Sequence, residues 1–198
     1  SVSIDSTEYA NSYPIWVYPK SLALNTKDVF VSSLLNKAVM NQLEAGGKVL
    51  LMPKTTSLLG SSVAGMFTPD FWNYGMFKSI SNANNAPVSP GTMGLLMDPS
   101  HPLFALFPTD YHTNWQWWHL CKESRAWNIS SLDSTYRPIV QVIDNMERVN
   151  KLAMIAEFKV GSGRLVVCTA RLNDMPDRPE ARQLYGSILT YMQSSAFK

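Results

Sequence analysis

Two cysteines and three histidines are the residues of this chain best suited to act as nucleophile, base or metal ligand. Cys121 follows His119 by two positions. A helix turns such neighbours to different sides, so the pair would not meet if the segment is helical. Neither cysteine sits in a Gly-x-Cys-x-Gly turn, and no Gly-x-Ser-x-Gly elbow occurs. Cys168 lies in the apolar run Leu165-Val166-Val167-Cys168 and reads as a buried small hydrophobe. Metal ligands could come from Asp98, His101, Asp110, His112 and His119, yet no two histidines have the four-residue spacing of a zinc hydrolase helix. Asp98 before Pro99 and Ser100 reads as a turn or cap, and His101 before Pro102 as an extended connector. Asp110 and His112 read as partners of buried polar groups. Gly161-Ser162-Gly163 lacks the following helix that a phosphate site requires. Among the 15 acidic residues no pair is placed at opposed strand ends, as glycoside hydrolysis would need. No catalytic residue, metal ligand or cofactor is assigned.

Binding is the chemistry that remains. Residues 109–120 hold Trp115, Trp117 and Trp118 of six tryptophans, and His112 and His119 of three histidines. A second aromatic cluster, Phe67-Thr68-Pro69-Asp70-Phe71-Trp72-Asn73-Tyr74-Gly75-Met76-Phe77, lies in the irregular middle of the chain. Large aromatic side chains carry much buried area and need partners for their ring N–H groups. Segments this dense in them are either packed into the fold or presented as a surface. Exposed, they could stack on sugar rings, and the candidate ligand-binding residues are then Trp72, Tyr111, His112, Trp115, Trp117 and Trp118. The three-residue step from Trp115 to Trp118 favours packing over a platform.

The elements that must position these residues are best defined at the two ends. Pro14-Ile15-Trp16-Val17-Tyr18-Pro19 and Asp28-Val29-Phe30-Val31-Ser32-Ser33 read as strands. A helix from about Asn36 stops at Gly46-Gly47, and Lys48-Val49-Leu50-Leu51-Met52-Pro53 reads as a strand buried on both faces. Together they suggest a right-handed βαβ unit. Gly94 to Asp98 suits a short strand and Pro102 to Phe107 a short helix, while the Trp-rich stretch runs into a helix through Cys121 and Lys122. Pro138 to Ile143 is a strand. The runs Lys151 to Val160 and Arg164 to Thr169 flank Gly161-Ser162-Gly163 as a hairpin. Pro179 to Ser194 forms a closing helix with Leu184, Ile188, Leu189 and Met192 on one face. The expected fold class is α/β, with a mostly parallel sheet and an antiparallel hairpin near the C-terminus.

With 198 residues the chain can bury a core of its own. Its net charge is +2 and its basic residues are scattered, which argues against a nucleic-acid footprint. Only 16% of residues are charged, a leanness that suits a surface covered in a larger assembly. No apolar run reaches membrane-spanning length. Residues 1–13 read as a linker entering a single domain of residues 14–198, so a fragment of a longer protein is expected.

Several motifs are specific as a set: Phe67-Thr68-Pro69-Asp70-Phe71-Trp72-Asn73-Tyr74; Gly94-Leu95-Leu96-Met97-Asp98-Pro99-Ser100-His101-Pro102-Leu103; and Phe107-Pro108 running into the Trp-rich stretch. Arg137-Pro138-Ile139-Val140-Gln141-Val142-Ile143-Asp144 and Arg178-Pro179-Glu180-Ala181-Arg182-Gln183-Leu184 complete it. From about Pro14 onward the chain resembles the C-terminal accessory region of glycoside hydrolase family 2 (β-galactosidase-like) proteins of Bacteroidetes. The resemblance implies a three-layer flavodoxin-like or class I glutamine amidotransferase-like fold and a periplasmic or secreted location. It transfers no catalytic residue, because catalysis in that family resides in a separate barrel domain and the amidotransferase cysteine elbow has no match here. The implied role is a non-catalytic accessory domain of a β-glycosidase, supporting domain packing or oligomerisation. Its partners would be the parent's other domains, a second copy of the chain or carbohydrate. The rivals are a carbohydrate-binding module using Trp72, Trp115, Trp117 and Trp118, and a free-standing hydrolase using His112, Asp110 and Cys121.

Overall fold

A computed structural model describes residues 1–64, 74–86 and 91–198. At the N-terminus β1 (Val2–Ser3) pairs antiparallel with β2 (Ala10–Asn11), away from the main sheet. The main sheet begins with β3 (Val29–Ser32), α1 (Lys37–Glu44) and β4 (Lys48–Leu51), with β3 and β4 parallel and Val29 opposite Lys48. Asn36 caps α1 by accepting the Val39 N–H at 3.1 Å, and Gly46, at φ +82°, ends it in the left-handed region that favours glycine. Next come α2 (Thr55–Leu58), β5 (Ser62–Ala64), α3 (Tyr74–Ala83), β6 (Thr92–Met97), α4 (Trp118–Lys122), β7 (Arg125–Asn128) and β8 (Val140–Asp144). Finally β9 (Lys151–Val160), β10 (Gly163–Cys168) and α5 (Pro179–Gln193) complete the described elements.

The sheet corrects the sequence-based architecture. Among the described residues only β3 with β4 and β4 with β10 pair in parallel. The pairs β9–β10, β8–β9, β7–β9, β6–β8 and β5–β7 are antiparallel. The eight-stranded main sheet is therefore mostly antiparallel, and the expected three-layer flavodoxin-like or class I glutamine amidotransferase-like fold, with its mostly parallel sheet, is overturned. The long strand β9 organises this arrangement. Its first half, Lys151 to Ile155, takes β8, while Ile155 to Val160 takes β10. The error has a physical source. Continuous apolar runs report burial on both faces, and Leu152 to Ala156 are indeed all buried. Burial carries no information about the direction of the neighbouring strand.

Alternation along β4 and β10 divides the core. Leu50, Val166 and Cys168 face a large cluster that includes Leu184, Ile188 and Met192 of α5. Val49, Leu51, Leu165 and Val167 face the other way, against Val39 and Leu43 of α1. The expected first strand at Pro14 to Pro19 does not form. This stretch lies as an extended strap whose Trp16 indole donates to Pro108 O at 3.2 Å, and Tyr18 stacks on Phe107 with ring centroids 6.0 Å apart. Prolines at both ends remove N–H donors that a ladder would need.

Candidate functional site

Residues 111–113 run beside β6, where Met97 N–H donates to Tyr111 O at 3.0 Å and Leu95 N–H to Thr113 Oγ1 at 2.7 Å. His112 makes an antiparallel bridge to Leu96. The chain then tightens into a 3-10 turn, Trp115–Trp117, and continues directly into α4. This geometry sends the three tryptophans to different fates. Trp117 is 0% exposed, donates its indole N–H to Thr109 Oγ1 at 2.8 Å, and meets Phe107 edge-on at 5.1 Å. Trp115 is 72% exposed and Trp118 38% exposed, with centroids 6.1 Å apart and planes tilted by 52°. Tyr111 is 66% exposed. Exposed His112 has its Nδ1 3.0 Å from Thr113 O. Trp72 lies outside the described residues.

Trp115 lines an open cleft of about 470 Å³ between the strap, the Trp-rich turn and the start of α5. Trp16, Tyr18, Gln116, His119 and Glu180 complete its functional wall. Gln116 is fixed from both sides, donating to Pro108 O at 2.7 Å and accepting from the Tyr18 hydroxyl. His119 Nδ1 lies 2.9 Å from Glu180 Oε1, an acid in the first turn of α5 where the helix dipole favours it. Burial, aided by the charge of Glu180, pushes the Tyr18 phenol well above its ordinary value, so it stays a donor. A polar cleft of about 440 Å³ also has His119 in its wall, with Glu123, Arg171, Asp174 and Arg178.

On the α1 face of the sheet lies an apolar recess of about 560 Å³. Leu51, Leu165 and Val167 belong to it, with Trp127, Phe158 and Leu58. It exists because α1 has eight residues, about 12 Å of helix, and α2 only four. Among the described residues they leave the sheet incompletely covered. At the rim Leu34 and Leu35 are exposed, Leu35 by 65%.

Five of the residues that suggested catalysis or metal binding are buried or hydrogen-bonded. Cys121 and Cys168 are buried, and burial raises both thiols, Cys168 to about 12. The thiolate needed for attack is thereby disfavoured. Asp98 accepts from Ser100 N–H and hydroxyl, and Asp110 accepts from Asn114 Nδ2 at 2.8 Å. His101 Nδ1 accepts from Leu103 N–H, and its Nε2 lies 3.8 Å from Glu157 Oε1. Among the described residues, no group of three His, Cys, Asp or Glu is placed to hold a metal ion. None of their helices is long and apolar enough to cross a membrane.

The cleft residues Trp16, Tyr18 and Glu180 and the rim leucines were not singled out from sequence as a site. Glu180 had a signal only as a helix-start acid. The strap's contribution required knowing that residues 14–19 leave the sheet. Residues 30–198 match the model of a family described as Domain of unknown function (DUF8487). No curated protein matches the chain.

Proposed function

The chain belongs to the DUF8487 family, and we propose that it serves as a non-catalytic accessory domain of a secreted or periplasmic β-galactosidase-like glycosidase. Its work is contact: it packs against the parent's other domains or a second copy and supports the assembly. The apolar recess on the α1 face carries this reading. A half-open hollow floored by Leu51, Leu165 and Val167 and rimmed by exposed leucines is a surface that gains by being covered. Covering one such leucine side chain contributes about 2 kcal/mol. The motif resemblance at residues 94–103 and 107–118 supports the glycosidase context, and the buried thiols disfavour a cysteine nucleophile.

The test is Leu35→Glu, made both in this chain and in the longer glycosidase that carries it. In the isolated chain the exposed position tolerates the change, within about 0.5 kcal/mol. In the parent the buried charge lowers the melting temperature and the retained β-galactosidase activity after heating, or dissociates an oligomer in sedimentation. A parent indistinguishable from wild type in all three overturns the reading.

A further inference from the structure

The cleft at the start of α5 has an aromatic wall and a wall of acceptors. Trp115 offers an exposed ring face. Trp118, tilted by 52° against it and with Lys122 Nζ 6.0 Å from its centroid, does not extend that face into a flat double platform. The platform is therefore one ring wide. In the same cleft, Glu180 as a carboxylate can only accept, so the hydrogen on the 2.9 Å bond sits on His119 Nδ1. In the neutral imidazole that leaves His119 Nε2 as an acceptor, and Glu180 Oε2 is a second one. Two donors of the same cleft are already committed, Trp16 Nε1 to Pro108 O and the Tyr18 hydroxyl to Gln116 Oε1.

We propose that this cleft binds a saccharide, one pyranose ring stacking its C–H face on Trp115 while neighbouring hydroxyls donate to Glu180 Oε2 and His119 Nε2. The two walls set the ligand's chemistry. It must present an apolar face about one ring wide and, at its edge, two donors. A pyranose has both. A proline-rich peptide needs donors from the groove for its carbonyls, and here the Trp16 indole and Tyr18 phenol are spent internally, which leaves the Trp115 indole as the aromatic donor. A cationic ligand would be opposed by Arg171 and Arg178, which line the adjoining cleft. A volume of about 470 Å³ lies within the range of small-molecule sites.

The experiment is a titration of the full chain with galacto-, gluco-, xylo- and glucurono-oligosaccharides, followed by tryptophan fluorescence, with choline chloride as the cationic control. One saccharide class produces a saturable change at or below millimolar concentration. Trp115→Ala abolishes it with the thermal midpoint retained, because the ring is exposed. Glu180→Gln weakens binding about tenfold, the loss expected for one charge-assisted hydrogen bond. A flat response to every saccharide overturns the proposal. So does a response that survives Trp115→Ala, or a response to choline alone. The cleft and the apolar recess share no wall residue. Leu35→Glu therefore leaves the titration unchanged, and failure of the packing role is distinguishable from failure of this site.

Discussion

Trp117→Ala separates the two kinds of tryptophan in the segment around which this molecule is built. Trp117 is fully buried and its ring meets Phe107 at 5.1 Å and Phe104 at 6.3 Å, both edge-on. Truncating a buried Trp to Ala costs about 3–5 kcal/mol through lost transfer and cavity terms. The two aromatic pairs bring the figure toward its upper end, each contributing about 0.5–1.5 kcal/mol beyond area. Loss of the indole N–H also removes the 2.8 Å bond to Thr109 Oγ1, worth about 1 kcal/mol. Because these contributions overlap, the expected cost is about 4–5 kcal/mol. That approaches the entire stability of a marginal domain, about 5–15 kcal/mol. Trp115→Ala, two residues away and exposed, costs less than about 0.5 kcal/mol. Urea unfolding of both variants at equal protein concentration measures the difference. Equal midpoints for the two variants would refute the division of the segment into a core residue and a surface residue.

Three further outcomes follow from the interior. Asp144 is buried and burial opposes its charge, but Arg148 at 2.6 Å and the N–H groups of Asn150 and Asn145 outweigh it and hold its carboxyl below the ordinary 3.8. A depressed folded value means the contribution is fully present above about pH 4 and is lost as pH falls through that lower value. Asp144→Asn costs about 3 kcal/mol at neutral pH and flattens the acid limb of a urea-midpoint profile, because Arg148 loses its counter-charge in a buried site. Gly163→Ala destabilises by about 1–3 kcal/mol in thermal or urea unfolding, since a Cβ there would sit 2.4 Å from Leu43 O and 2.9 Å from Gly47 O, both backbone atoms. Cys121 and Cys168 resist a thiol-specific reagent in the native protein and both react on unfolding. Fast labelling of either one under native conditions would contradict their burial.

Local structure was legible wherever one local signal decided it. The start of α1 near Asn36, its end at Gly46 and the start of α5 at Pro179 were all legible. Gly161 marked the hairpin turn, where it adopts φ +59°. Strand direction was not legible. Leu152 to Ala156 reads the same whether its neighbours run with it or against it, and the answer depends on the connections at residues 145–150 and 129–139. Short strands such as β5 and β7 were missed because three or four residues carry no period of their own. The aromatic segment could be located but not resolved. Trp115, Trp117 and Trp118 are chemically alike, and a 3-10 turn leading into a helix decides which enters the core. The recess was invisible for a related reason. It is defined by what α1 and α2 fail to cover, and a sequence records residues, whereas a gap belongs to their arrangement.

The central claim is that the α1 face is a contact surface, and amide hydrogen exchange tests it most directly. Exchange is followed at residues 33–35 and 57–59 in the isolated chain and in the longer glycosidase proposed to contain it. Coverage of the recess slows exchange at both segments in the longer protein, while the hairpin turn at Gly161, outside the recess wall, serves as reference. Identical exchange at the recess segments in the two settings would contradict the account.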